Sequence, residues 1–203
     1  MIREPAAGKK VTVLDKANMA RNGYILISVV FYIAGLLHMM WHGASPLLYC
    51  IVSGIILITY GMIKITGYFS DDLYCLAFQY DLGCGLFLIV VGLLVLVCNL
   101  RIWQYIYMGL GLLILLDALF KIQLSRDAKE FGLQSWNLIL ILSLMAGIFG
   151  VLIAVRPFRN ENILHVVTGC GLLMEGAMNH LVAKDAVYVT RRHALSDKIG
   201  EED

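Results

Sequence analysis

Apolar residues in this chain fall into six long runs, 23–41, 46–66, 80–98, 102–120, 136–155 and 163–182, separated by short polar stretches. Each run approaches the ~20 residues with which a helix crosses a ~30 Å hydrocarbon core. The runs are continuous rather than alternating, which argues against a transmembrane β-barrel. The pattern therefore predicts an all-α membrane protein with six transmembrane helices. Pro46 suits the first turn of helix 2, and Pro157 stops helix 5 after Arg156. The turn at Asn99 and Arg101 is so tight that helices 3 and 4 are expected to be antiparallel neighbours. The stretch 67–79 carries Asp71 and Asp72 among aromatics and is expected at the interface; 121–135 is expected to be the longest polar connection.

A second pattern lies on top of the first. Gly54, Gly61 and Lys64 recur as Gly111, Ala118 and Lys121, and again as Gly169, Gly176 and Asn179, at offsets of 57 and 58. Gly35, Gly92 and Gly150 repeat at the same offsets in helices 1, 3 and 5, as do Asn22, Gln79 and Asn137 at their openings. Shared offsets in independent columns predict three tandem helical hairpins that bury their faces on one another, with a period of 57–58 residues. The copies are 22–78, 79–136 and 137–182, within a six-helix domain of 22–182. All start on the same side, so the repeat axis runs along the membrane normal, unlike the inverted repeats of many transporters. Residues 1–21 and 183–203 are polar tails.

Composition changes this picture little. The chain of 203 residues is 60% hydrophobic and 15% charged, with mean hydropathy +0.78. Soluble domains carry about 25% charged residues. Six spans leave no room for a separate soluble domain. A net charge of +1 gives no reason to expect a nucleic-acid partner. The bilayer is the implied partner; a homo-oligomer is compatible with the pattern, and no ligand is indicated. The first run exceeds the 7–15 apolar residues of a signal peptide, and no A-x-A site follows it. The five cysteines, Cys50, Cys75, Cys84, Cys98 and Cys170, are odd in number and scattered, which argues against a disulfide framework.

Lys and Arg set the orientation. With the N-terminus inside, 13 lie on the inner side and three, Arg101, Arg156 and Arg159, on the outer. The positive-inside rule then predicts both tails in the cytoplasm and a plasma-membrane location.

Candidate chemistry is sparse. Gly35, Gly54, Gly61, Gly92, Gly111, Gly150, Gly169 and Gly176 are read as helix-packing positions, because small residues let backbones approach in lipid. His38 and His42 stand four apart, but no Glu follows His38 and no third ligand is near, so no metal site is expected. No nucleophile elbow, HExxH or phosphate loop is present, so no catalytic residue and no cofactor is expected. The informative residues are intramembrane charges, which are costly and mark function or tight pairing. Asp117 and Glu175 occupy one repeat column, in which the first copy has Tyr60. Asp117 has Lys121 four residues on as a local partner. Glu175 has only Asn179 at that offset, so Glu175 is expected to carry any pH-dependent behaviour. Asp117, Lys121 and Glu175 form the candidate intramembrane polar site.

The stretch YGMIKITGYFSDDLYCLAFQYDLGCGLFLIVVGLLVL, with LDALFKIQLSRDAKEFG and WNLILIL, resembles the HdeD family over nearly all of 22–182. These are small six-helix membrane proteins grouped under a domain of unknown function. The resemblance implies a non-enzymatic protein, linked through the family's namesake to acid or envelope stress, with no catalytic motif to carry over. The alternative left by the residues is a small transporter or channel with Asp117 and Glu175 near a polar path.

Overall fold

A computed structural model describes residues 7–41, 43, 45–69, 81–98, 101, 105–130, 132 and 135–199, with side chains from 19 to 184. Asp71, Asp72, Cys75, Gln79, Asn99 and His42 lie outside the described residues, as do both chain ends. The described residues form six α-helices and no strand: α1 (Ala7–Met40), α2 (Pro46–Tyr68), α3 (Asp81–Val97), α4 (Ile106–Glu130), α5 (Trp136–Val155) and α6 (Glu161–Ile199). Five contain a stretch long and apolar enough to cross a membrane, and α3 is a shorter apolar helix. The chain is a multi-pass membrane protein.

Local chemistry explains the helix ends. Ser45 Oγ caps α2 by accepting the Leu48 N–H at 3.3 Å, and Pro46 sits where its missing N–H costs nothing. Arg156 closes α5 in the left-handed region, φ 50°, donating its N–H to the Leu152 carbonyl just before Pro157. Two expectations are corrected. The polar tails are not separate from the outermost spans, because α1 begins at Ala7 and α6 runs to Ile199. The polar connection after the fourth run is mostly helix, since α4 continues to Glu130. In both places charged residues extend a helix that the apolar pattern ends too early.

The closest helix pairs are α2 with α3, α4 with α5, and α1 with α6. Each pairing crosses a boundary between sequence copies, and the third joins the last copy to the first. The expectation for α3 and α4 fails: despite their short connection they scarcely touch. Each is drawn instead onto the helix on its other side by a seam of small residues. A Cβ on Gly54 would lie 3.1 Å from the Gly92 carbonyl oxygen, and one on Gly61 2.6 Å from that of Gly85. Gly111 meets the Gly150 carbonyl at 2.6 Å, Gly169 that of Gly35 at 2.7 Å, and Gly176 that of Ser28 at 3.0 Å. The contacts of Gly35, Gly92 and Gly150 are reciprocal. Backbone meets backbone there, and no side chain could be accommodated without separating the helices. Gly85 belongs to these seams and lies outside the predicted set.

With the seams on the periphery, α2, α4 and α6 turn one face each toward the centre. Cys50, Tyr107 and His165 come first from the Met40 end, then Leu57, Ile114 and Leu172. Tyr60, Asp117 and Glu175 follow, then Lys64, Lys121 and Asn179. All twelve are buried. Every level is one repeat column.

Candidate functional site

The lower two levels form a connected polar ring inside the bundle. Lys64 Nζ on α2 lies 2.9 Å from Asp81 Oδ1 on α3 and 3.0 Å from Asp117 Oδ1 on α4. Lys121 on α4 pairs with Asp117 one turn back and with Glu175 Oε1 on α6 at 2.7 Å. Asn179 on α6 meets the Tyr60 hydroxyl on α2 at 3.0 Å and Glu175 Oε1 at 3.4 Å. Each group of the lower level thus reaches the upper-level group of the following copy, and the third contact closes the circle. Tyr24 on α1 donates its hydroxyl to Asp81 Oδ2, which ties the outer helices to the ring.

None of the five charged residues is more than 8% exposed. Buried ions persist only when paired and hydrogen-bonded, because removal from water is expensive. Here the pairing among the described residues is incomplete by count: three carboxyl groups, Asp81, Asp117 and Glu175, face two ammonium groups, Lys64 and Lys121. One proton or one further cation is needed for neutrality. The hydrogen bonding points to the same place. The Tyr60 hydroxyl has one hydrogen but lies near three acceptors, Asn179 Oδ1, Glu175 Oε1 at 3.2 Å and Asp117 Oδ2 at 3.3 Å. A proton carried between Asp117 and Glu175 would relieve the crowding of lone pairs around that oxygen. Glu175 Oε2 is buried with no hydrogen-bond partner among the described residues.

The three predicted site residues therefore come together, and the structure adds Tyr24, Tyr60, Lys64, Asp81 and Asn179. Tyr60 and Lys64 were visible as members of the two columns. Asp81 reads in sequence as an acidic helix start. Beyond the Asn179 that stands at its i+4 offset, Glu175 has a cation that its own helix does not supply. Its cation is Lys121 of another helix, which an i,i+4 search cannot find.

Toward the Met40 end, His38 on α1 meets a histidine of α6. Its Nε2 lies 3.1 Å from His165 Nδ1 on α6, which the Tyr107 hydroxyl also approaches at 3.4 Å. Arg156 lies over the Tyr107 ring at 5.3 Å. No group of three or more His, Cys, Asp or Glu able to hold a metal occurs among the described residues. A cavity of about 200 Å³ opens beside His38, lined also by Tyr49, Tyr107 and Thr168. A second, of about 40 Å³, reaches Tyr60, Asp117 and Glu175. Phe31, Leu57, Leu110 and Leu172 border both and stand between them.

A family model described as a short repeat of unknown function, DUF308, matches residues 26–97, from within α1 to the end of α3. No curated protein and no solved structure matches the chain.

Proposed function

We propose that this multi-pass protein is non-enzymatic, is built as three tandem copies of a two-helix unit in the cell membrane with both tails cytoplasmic, and serves acid or envelope stress. The observation that carries the reading is the ring's surplus carboxyl group. A buried cluster one proton short of neutrality changes its net charge when that proton is lost or gained, and a charge change among packed helices biases their arrangement. The groups facing the Asp117–Glu175 pair are Tyr60 and Lys64 from α2, Lys121 from α4 and Asn179 from α6, with Asp81 of α3 one contact away through Lys64. The short-repeat match over 26–97 supports the repeat, and the stress assignment follows from the resemblance to the HdeD family. The test is survival after acid challenge in cells lacking the native protein, complemented with wild type or with Glu175→Gln at equal expression. The reading expects protection by wild type and its loss in the variant. Equal survival of complemented and uncomplemented cells would remove the stress assignment.

A second reading, a small transporter, is favoured by one observation: the two cavities either side of Phe31, Leu57 and Leu172 together extend from the Trp41 end to the ring.

A further inference from the structure

The cavity beside His38 has no part in the proton argument, and its walls have their own chemistry. It is bounded by α1, α2, α4 and α6 near the Met40 end, and holds about 200 Å³. A dry cavity of ~150 Å³ is enough to admit benzene, so a substituted six-membered ring fits in this volume. No Asp, Glu, Lys or Arg lines it among the described residues. A charged headgroup would find no charged side chain among those lining residues, which favours an uncharged ligand. Among aliphatic side chains it presents five rings, Phe31, His38, Trp41, Tyr49 and Tyr107. Flat rings stack or meet edge-on with other rings, and such pairs add to the burial of apolar area. His38, Tyr49, Tyr107 and His165 already pack as one aromatic cluster, with His38 4.7 Å from His165 and 5.3 Å from Tyr49 between centroids.

Polar groups are few, as in sites that fix the orientation of an apolar ligand. Thr168 is fully buried in the wall, and its Oγ1 has no hydrogen-bond partner among the described residues. An unsatisfied buried hydroxyl is a cost that an oxygen-bearing ligand removes. The way in is lateral. Leu37, Leu48 and Val52 line the cavity and are also exposed on the bundle surface, where α1 and α2 meet only loosely. A ligand dissolved in the bilayer can enter there and leave an apolar tail in the lipid.

We infer that this cavity binds the ring of a lipid-soluble quinone: planar, uncharged, carrying carbonyl acceptors, and attached to an apolar tail. The ring lies among Trp41, Tyr49, Tyr107 and His38, with a carbonyl oxygen accepting from Thr168. The assignment is of binding alone and does not rest on the proposed stress function.

Decylubiquinone is the probe, added to the full chain in phosphatidylcholine nanodiscs and followed by quenching of tryptophan fluorescence. Saturable quenching is expected, and Trp41→Phe should remove most of its amplitude. Thr168→Val keeps the shape and removes the hydroxyl; about tenfold weaker binding is expected, the equivalent of one hydrogen bond. Val52→Trp, at a lipid-exposed position on the lip, should block entry without touching the core. Helicity by circular dichroism verifies that each variant is folded. Decanol supplies a comparable tail with no ring and should not compete. Absence of saturable quenching overturns the inference. So does displacement by decanol, which would make the cavity a tail-binding groove. Unchanged affinity in Thr168→Val would remove the assigned carbonyl contact and with it the site.

Discussion

Helix α2 takes part in two kinds of contact on two of its faces. On one, Gly54 and Gly61 bring its backbone against Gly92 and Gly85 of α3 with no side chain between. On the other, Tyr60 and Lys64 meet groups from α3, α4 and α6 through hydrogen bonds and ion pairs. In lipid there is no hydrophobic drive between helices, so the first face works by close van der Waals approach. The second is held by charges that are expensive once unpaired. The seams use two helices at a time and depend on shape. The ring needs residues from four helices and depends on count, so loss of one cation unbalances several partners at once.

The largest effect should come from breaking that count. Lys121→Met removes the ammonium that serves both Asp117 and Glu175 and leaves a ring with three carboxyl groups and one cation. Removing one partner from a buried pair costs about 3–5 kcal/mol. Loss of folded, monodisperse protein in detergent is expected. A variant as stable as wild type would mean that the ring is hydrated and the charges are not paired as described.

Seams and ring were unequally legible in the sequence. The glycine columns stand out because a packing position needs one property, smallness, and keeps it in each copy. The sequence says which residues are small but not which helices they join. The two helices of one copy are the natural pairs by sequence, yet α3 leans on α2 and α6 on α1, each a helix of another copy. The ring is harder to read because its chemistry differs from copy to copy. Tyr60, Asp117 and Glu175 share a column while being a phenol and two carboxyl groups, and Lys64, Lys121 and Asn179 are two cations and an amide. Only the closed geometry makes the lower group of one copy the partner of the upper group in the next. The helix extensions at both ends and beyond residue 120 were hidden for a simpler reason. Charged residues support helix as well as apolar ones do, but carry no membrane signal.

A smaller effect is expected at the seam. Gly61→Leu forces a side chain into a space where even a Cβ lies 2.6 Å from the Gly85 oxygen and 2.8 Å from Ile89 Cγ1. Overpacking of this kind costs about 1–3 kcal/mol. Gly83→Leu on α3 is the control, since nothing lies within 4 Å of its Cβ position. Thermal denaturation in one detergent should separate the two variants clearly. Equal tolerance would show that shape at the seam is not what holds α2 to α3.

The smallest change at neutral pH, and the most informative, should be Glu175→Gln. The amide nearly preserves the volume of the carboxyl group and can still meet Lys121 through its oxygen. It leaves two carboxyl groups, Asp81 and Asp117, against two ammonium groups, so the ring no longer needs a proton for neutrality. In the wild type, losing that proton leaves one uncompensated negative charge among buried residues. Stability of the wild type should therefore fall as the pH is raised through the titration of the Asp117–Glu175 pair, and recover as it is lowered. Where a proton supplies the ring's neutrality, the folded ring holds it and the unfolded carboxyl groups release it, which sets the direction. Glu175→Gln should show a flatter profile, with its midpoint nearly constant where that of the wild type moves. Asp117→Asn cannot substitute for it as a test, because Asp117 also holds Lys64. Melting curves of both proteins between pH 4 and 9 decide the matter. Parallel curves would mean that the surplus charge is balanced by something other than a proton at this pair, and the ring would then serve to fix the helices rather than to register acidity.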